Sequence, residues 1–206
     1  LDKLYGARLD ASTEKYGDCQ LLSMRISVIN DRFTFDSDSL VKAACDMLLG
    51  LIFEPSVENN AFMYDDVERE KRKAIEHIKG EIAEKRIYAK NRLISEMFKN
   101  DAYGIPKCGT VSQVEAITGE SLYNAWVNML KSAFVRVQVV GESLPNKFFE
   151  AVAEKFNTVC REDITDYRLC KPAVPTNKIK TVFEKMDVQQ GKLVLGFTSE
   201  MYGDDD

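Results

Sequence analysis

The stretch from about Tyr64 to Asn100 carries a long amphipathic pattern, and it limits the fold more than any other feature of the sequence. Apolar residues recur along it at helical spacing: Ile75, Ile78, Ile82, Ala89, Leu93 and Met97. This spacing predicts a helix with one apolar face. Asp65, Asp66 and Glu68 stand in its first turns, where acidic side chains stabilise the positive end of the helix dipole. Such a helix would be roughly 50 Å long, with Gly80 as the predicted position of a bend.

The sequence before this helix predicts a hairpin and a shorter helix. Apolar and polar residues alternate in 5–14 and again in 22–28, around turn residues 15–18, which is typical of two antiparallel strands. A helix follows, with Asp36 or Ser37 as the residue that caps its first amides. It ends at Glu54, because the residue before a proline is disfavoured in the helical conformation.

The sequence after the long helix predicts two more helices and three more strands. Thr118 caps a helix that runs to about Lys131, and β-branched residues in 134–140 indicate a buried strand. Pro145 begins another helix, with four residues expected on its inner face: Phe148, Phe149, Val152 and Phe156. Two strand-like runs, 179–185 and 192–198, close the chain.

The resulting order is ββ-α-α-α-β-α-linker-ββ, which predicts an α+β fold. In this class an antiparallel sheet carries helices packed on one face. Composition shifts predict a first domain over 1–160, a proline-containing linker over 161–177 and the beginning of a second domain over 178–206.

Charge and composition exclude several classes of function. The chain has 28 Lys and Arg against 33 Asp and Glu, a net charge of −5, which disfavours nucleic acid as a partner. No run of about 18 apolar residues exists, so we expect no membrane span. The five cysteines never occur in C-x-x-C spacing, which predicts reduced thiols in a cytoplasmic protein. They are Cys19, Cys45, Cys108, Cys160 and Cys170.

No motif in the chain supplies a complete catalytic site. Glycine-rich phosphate-binding loops and the G-x-S-x-G elbow are absent from the sequence, and His77 is its only histidine. The run Lys73-Ala74-Ile75-Glu76-His77 matches the inverted zincin pattern H-x-x-E-H except that Lys73 replaces the first histidine. Because an ammonium group cannot donate a lone pair to zinc, we interpret this run as a chance match on a charged helix face.

Several segments taken together nevertheless resemble a known family. In chain order they are Leu4-Tyr5-Gly6-Ala7, Val67-Glu68-Arg69-Glu70-Lys71, Ala102-Tyr103-Gly104-Ile105-Pro106, Ile117-Thr118 with Ser121-Leu122, and Val137 to Gly141. Their succession resembles the pitrilysin/insulinase (inverzincin) metallopeptidases, the family of the mitochondrial processing peptidase. Within that family it is most similar to a bacterial zinc-protease-like branch that lacks the complete zinc motif.

The resemblance implies a fold and a metal position. Family members contain two related α+β domains that close around an extended peptide, here with most of the first domain and the beginning of the second. An H-x-x-E-H helix supplies two zinc ligands and the general base, and a glutamate about 75 residues later supplies the third ligand. Glu68 matches that distal glutamate, which would place the H-x-x-E-H motif before Leu1. Residues 189–197 resemble the first strand of the second domain.

The resemblance leaves three functions open. The first expectation is a non-catalytic, peptide-binding protein, with no catalytic or cofactor-binding residue in this chain and a peptide, a protein or a related peptidase-like subunit as partner. The second is an active zinc endopeptidase, with zinc held only by the full-length protein. The third is a protein-interaction module without enzymatic ancestry. Glu68 itself is either a metal ligand or an acidic residue stabilised by the helix dipole and Arg72.

Overall fold

The computed structural model describes residues 4–33, 39–142, 148–162 and 179–197. Within these ranges lie four strands, β1 (Arg8–Tyr16), β2 (Cys19–Ser27), β3 (Val57–Glu58) and β4 (Ala61–Phe62). The helices are α1 (Leu40–Phe53), α2 (Tyr64–Ala83), α3 (Lys85–Met97), α4 (Val111–Glu115), α5 (Gly119–Ser132) and α6 (Phe148–Asn157). Two single turns of 3-10 helix cover Asp31–Phe33 and Ala102–Gly104.

The chain divides into two compact units. The first unit comprises Leu1–Glu14, Gln20–Glu68 and Ile117–Tyr167, and the second comprises Lys15–Cys19, Arg69–Ala116 and Arg168–Asp206. The predicted α+β class is confirmed. The strands of the described residues form two separate two-stranded sheets, β1-β2 and β3-β4, rather than one sheet covered by helices.

The predicted hairpin and the first predicted helix are both present, with boundaries that differ from the prediction. The β1-β2 turn is tighter than expected, since strand β1 continues through Lys15 and Tyr16 and leaves only Gly17 and Asp18 between the strands. Gly17 has φ +56°, a conformation that glycine adopts without strain.

Helix α1 begins later than predicted. Ser39, not Asp36 or Ser37, is its N-cap, and the Ser39 side chain accepts a hydrogen bond from the Lys42 amide. Asp31 adds a second cap by accepting hydrogen bonds from Ser39 Oγ at 2.7 Å and the Val41 amide at 3.0 Å. The two hydrogen bonds lower the pKa of Asp31, the one from Ser39 being the larger effect. Asp36 and Ser37 lie outside the described residues.

The core of the first unit forms between α1 and α6. Leu49 of α1 is buried against Phe148 and Val152 of α6, and the Phe53 and Phe156 rings meet edge-to-face at 4.8 Å. Phe148, Val152 and Phe156 thus face inward as predicted. The prediction for Phe149 was wrong, because its side chain is 52% exposed. Pro145, the predicted beginning of this helix, lies outside the described residues.

A short hairpin that the sequence analysis missed links α1 to α2. Strands β3 and β4 pair antiparallel, Val57 with Phe62 and Glu58 with Ala61. The two turn residues, Asn59 and Asn60, have φ of +51° and +61°. Asparagine tolerates this conformation better than most residues, so the Asn-Asn pair in the sequence predicts a turn at this position.

The long predicted helix is two helices, and the predicted bend at Gly80 was wrong. Helix α2 ends at Ala83 and α3 begins at Lys85, with Glu84 between them at φ −78° and ψ 84°. Neither glycine nor proline occupies this position, so local propensity does not encode the break. Helix α4 was also missed, although Thr110 and Gln113 form a capping box at its beginning.

Three predicted strands do not belong to any ladder among the described residues. Residues 134–140 and 179–185 and the described part of 192–198 carry no regular secondary structure. A strand requires partners for its amide and carbonyl groups, and the described residues supply none. The expectation that 134–140 is buried was also wrong, because Val140 is fully exposed. Most of the predicted linker, 161–177, lies outside the described residues.

Candidate functional site

An apolar segment stands exposed directly after helix α5. We call residues 134–140 (Phe-Val-Arg-Val-Gln-Val-Val) the valine segment. Phe134 is 59% exposed and the four valines are at least 38% exposed, although such residues usually bury their side chains. The guanidinium of Arg136 lies 5.8 Å from the centre of the Phe134 ring. Residues two apart in an extended chain lie on the same side, so this contact is expected.

Arg161 holds the beginning of the valine segment. Its guanidinium donates hydrogen bonds to the carbonyl oxygens of Leu130 at 2.8 Å and Ala133 at 2.6 Å. It also lies 5.3 Å from the centre of the Phe156 ring. These carbonyls belong to the last turn of α5 and to its C-cap, where a cation is favoured by the helix dipole. Arg161 therefore fixes where the chain leaves α5.

Glu142 holds the other end of the segment. Its carboxylate accepts hydrogen bonds from Asn30 Nδ2 at 3.1 Å and from Arg32 at 3.0 Å. The side chains of Arg32 and Glu142 are each about 60% exposed, so the ion pair contributes at most about 1 kcal/mol of stability. The valine segment is thus anchored on both sides and open between its anchors.

Helix α5 is itself fixed on the first unit. Thr118 caps it as predicted, exchanging hydrogen bonds with Ser121 in a capping box. The Trp126 indole nitrogen donates to the Ile52 carbonyl at 3.1 Å, and Gly119 packs directly against the Phe62 carbonyl of β4. The scaffold that leads into the valine segment is therefore rigidly placed.

The predicted metal ligand lies near the beginning of α2. Glu68 follows the buried Val67 and is itself half-buried. Within 4–33, 39–142, 148–162 and 179–197, no three His, Cys, Asp or Glu side chains gather closely enough to hold a metal ion. Since zinc sites in proteins use three or four ligands, the described residues do not fit a zinc centre by themselves.

The run that resembles an inverted zincin motif forms ordinary surface pairs. His77 Nε2 lies 3.4 Å from Glu81 Oε1, and the His77 side chain is 58% exposed. Lys73, in the position of the missing histidine, donates to Glu70 at 2.8 Å. The charged helix face predicted from the sequence accounts for these contacts.

A second group of charges lies on α3 in the second unit. Glu184 accepts hydrogen bonds from Tyr88 Oη at 2.7 Å and Arg92 Nε at 2.6 Å. Lys180 donates to Glu96 at 2.6 Å. The hydrogen bonds from Tyr88 and then Arg92 lower the pKa of Glu184, and the one from Lys180 lowers the pKa of Glu96. We call these five residues the α3 network.

The α3 network predicts a loss of stability in acid. A carboxyl whose pKa is lowered by folding stabilises the fold above its ordinary pKa of 4.5 and stops doing so as the pH falls through the lowered value. We expect Glu184→Gln to lower the free energy of unfolding by about 0.5–1 kcal/mol at pH 7, and to flatten its decrease below pH 4.5. Urea titrations between pH 7 and pH 3 measure both effects.

The matched control for this prediction is Glu76→Gln on the exposed face of α2. The Glu76 side chain is exposed, so its removal should change stability little at any pH and the profile should follow that of the unsubstituted chain. Identical pH profiles for Glu184→Gln and Glu76→Gln would contradict the role given to the α3 network.

The described thiols differ in burial. Cys45 and Cys108 are half-buried, and burial raises the pKa of both thiols, which lowers their thiolate fraction at neutral pH. Cys19 and Cys160 are exposed, and Cys170 lies outside the described residues.

A shallow cavity of about 290 Å³ lies at the open end of the β1-β2 hairpin. Its walls are residues 5–8 and 27–29. Tyr5 and Gly6 form a turn in this wall, with φ of +52° and +74°. A hydrogen bond from the Ala7 amide to the Leu4 carbonyl closes the turn. Arg8 on its wall is paired with Asp10 at 2.8 Å. A cavity of this size admits one side chain rather than a large ligand.

Comparison with curated proteins finds a relative that aligns with the whole of this chain. The chain is 32% identical over 209 aligned residues to a protein described as "Probable inactive metalloprotease YmfF" from Bacillus subtilis (strain 168). The chain is metalloprotease-like in sequence. The alignment includes the whole chain but only 48% of the relative, so the chain spans about half the length of the protein it matches.

Further comparisons add a fold likeness. A solved structure, "Crystal structure of a conserved protein from Enterococcus faecalis V583", superposes with a TM-score of 0.60 at 27% identity. The superposition covers 64% of this metalloprotease-like chain and 31% of the solved chain. No family model matches the sequence. No helix among the described residues is both long enough and apolar enough to cross a membrane.

Proposed function

We propose that this metalloprotease-like chain belongs to a non-catalytic protein of the pitrilysin/insulinase family, of the bacterial zinc-protease-like branch, and that it binds an extended peptide or protein segment. The similarity, over the whole of this chain, to a relative described as a "probable inactive metalloprotease" supports the non-catalytic assignment. A cytoplasmic location and a related peptidase-like partner subunit belong to the same proposal.

The valine segment is the observation that carries the peptide-binding part. Its apolar side chains are exposed, and no ladder among the described residues uses its backbone. Amide and carbonyl groups that no ladder of the described residues engages, beside β-branched side chains, favour the addition of an extended chain as a new strand. The anchors at Arg161 and Glu142 hold the segment in place, which lowers the entropy lost on binding.

Proline substitutions test strand addition. Amides of successive residues in a strand point to opposite edges, so Val137→Pro and Gln138→Pro remove a donor from opposite edges. We expect at least one variant to weaken binding by about tenfold, the loss of one or two main-chain hydrogen bonds. The probe is a fluorescein-labelled peptide of alternating threonine and valine, about eight residues long, and fluorescence anisotropy measures its affinity.

The matched control is Val137→Thr, which keeps the β-branched shape and the amide donor. It should bind the probe within about twofold of the unsubstituted protein, because only the side-chain polarity changes. Unchanged affinity in both proline variants would contradict strand addition at the valine segment.

Metal analysis of the full-length protein distinguishes the zinc endopeptidase alternative. We expect substoichiometric zinc in the purified protein and in a Glu68→Gln variant, and no chelator-sensitive cleavage of peptides. Bound zinc at one ion per chain, lost in Glu68→Gln, would establish Glu68 as a ligand and reject the non-catalytic assignment.

A further inference from the structure

The ammonium group of Lys15 contacts three main-chain carbonyl oxygens at the surface. Lys15 Nζ donates to the carbonyls of Ala102 and Tyr103 at 2.8 Å each and also to that of Ile105. It also lies 5.8 Å from the centre of the Tyr103 ring, within reach of a cation–π interaction. Lys15 and residues 102–105 belong to the same unit.

Independent contacts hold these carbonyls in place. Asp101 caps the turn by accepting from the Tyr103 amide at 2.7 Å, and Ser95 Oγ donates to the Gly104 carbonyl at 3.1 Å. The Tyr103 ring packs edge-to-face on Phe98 at 4.7 Å. Gly104 fits so tightly on the Phe98 carbonyl that a Cβ atom there would clash with it. The carbonyls therefore keep their arrangement through contacts that do not involve Lys15.

We propose that residues 102–105 form a binding site for a monovalent cation of ammonium size, which this chain fills with its own Lys15. We call this site the carbonyl cradle. An ammonium group has three donors and no acceptor, and the cradle offers three carbonyl acceptors. Filling the site also fastens the tip of the β1-β2 hairpin to the turn.

The chemistry of the cradle favours a monovalent cation. Neutral carbonyl oxygens can replace the hydration shell of potassium, as they do in selectivity filters. Divalent cations in proteins are held mainly with carboxylates, whereas the oxygens that contact Lys15 are all main-chain carbonyls. Potassium and methylammonium resemble the lysine ammonium in size and charge, and lithium is much smaller.

Replacement of the lysine should transfer its role to a free ion. In the full-length protein with Lys15→Ala, we expect the thermal midpoint to be about 2–4 °C higher in potassium or methylammonium chloride than in lithium chloride at equal ionic strength. The unsubstituted protein and Lys107→Ala, whose exposed side chain lies just after the same turn, should show less than half of that difference. An equal salt response in all three proteins would overturn the proposal.

Chemical labelling of the unsubstituted protein gives a test that does not depend on the variant folding. Acetylation of an amine requires the ammonium to leave its acceptors and lose a proton, so Lys15 should react about tenfold more slowly than Lys107. Peptide mass spectrometry after limited treatment with acetic anhydride measures both rates. Equal rates at Lys15 and Lys107 would contradict an occupied carbonyl cradle.

Discussion

Alanine in place of Gly119 should lower the free energy of unfolding by about 3 kcal/mol or more, a value reached only where backbone or core must move. A Cβ atom at this position would lie against the carbonyl oxygen of Phe62, closer than any ordinary van der Waals contact. The carbonyl is a main-chain group of β4 and the main chain of α5 fixes the position of the Cβ atom, so neither can turn aside as the end of a side chain would. Urea unfolding followed by circular dichroism measures the change.

Gly50 provides the matched control for this substitution. It lies inside α1, and a Cβ atom there meets nothing within 4 Å. Because alanine is the better helix former, Gly50→Ala should raise the free energy of unfolding by up to about 1 kcal/mol. The opposite signs expected of two glycine-to-alanine changes separate steric clash from helix propensity. A Gly119→Ala protein as stable as the unsubstituted one would show that α5 does not pack on β4 in this way.

The elements that the sequence predicted well are those specified by neighbouring residues. Thr118 and Ser121 are three positions apart, and their capping box depends only on that spacing. Alternation in 5–14 and 22–28 likewise specified the hairpin, to within a few residues at its turn. The Asn59-Asn60 turn was equally local, and a search for left-handed residue pairs would have found it.

The features that sequence reasoning missed depend on distant parts of the chain. The break at Glu84 has no glycine or proline to mark it, so helix propensity favoured a continuous helix. The apolar pattern of the valine segment is the same whether a strand is buried or left unpaired. The apolar pattern therefore marked the segment as suited to a strand, but it gave the wrong prediction for its burial.

The residues of the candidate site also differ in whether the sequence could single them out. Glu68 was singled out by resemblance to a family, and its role as a ligand stays a prediction. Arg161 and Glu142, which hold the two ends of the valine segment, were not singled out at all. Their partners, the Leu130 and Ala133 carbonyls and the Asn30 and Arg32 side chains, are far away in sequence or are main-chain atoms. A single sequence contains no signal for such pairs.

Arg161 should matter more than its place in a predicted linker suggests. We expect Arg161→Met to lower the free energy of unfolding by about 2 kcal/mol, because two charge-assisted hydrogen bonds to half-buried carbonyls are lost together. Methionine keeps much of the apolar contact with Phe156, so the loss reports mainly on the hydrogen bonds. Chemical denaturation at pH 7 gives the value.

Arg161→Lys separates the charge of this residue from its forked geometry. Lysine keeps the positive charge near the end of α5 but cannot present two fixed donors to the Leu130 and Ala133 carbonyls. It should therefore recover about half of the stability lost in Arg161→Met.

If Arg161 positions the valine segment, the methionine variant should also bind the threonine-valine peptide several-fold more weakly at a temperature where it is fully folded. Unchanged stability in Arg161→Met would remove the anchor, whereas lowered stability with unchanged peptide affinity would mean that Arg161 supports α5 without positioning the segment that follows it.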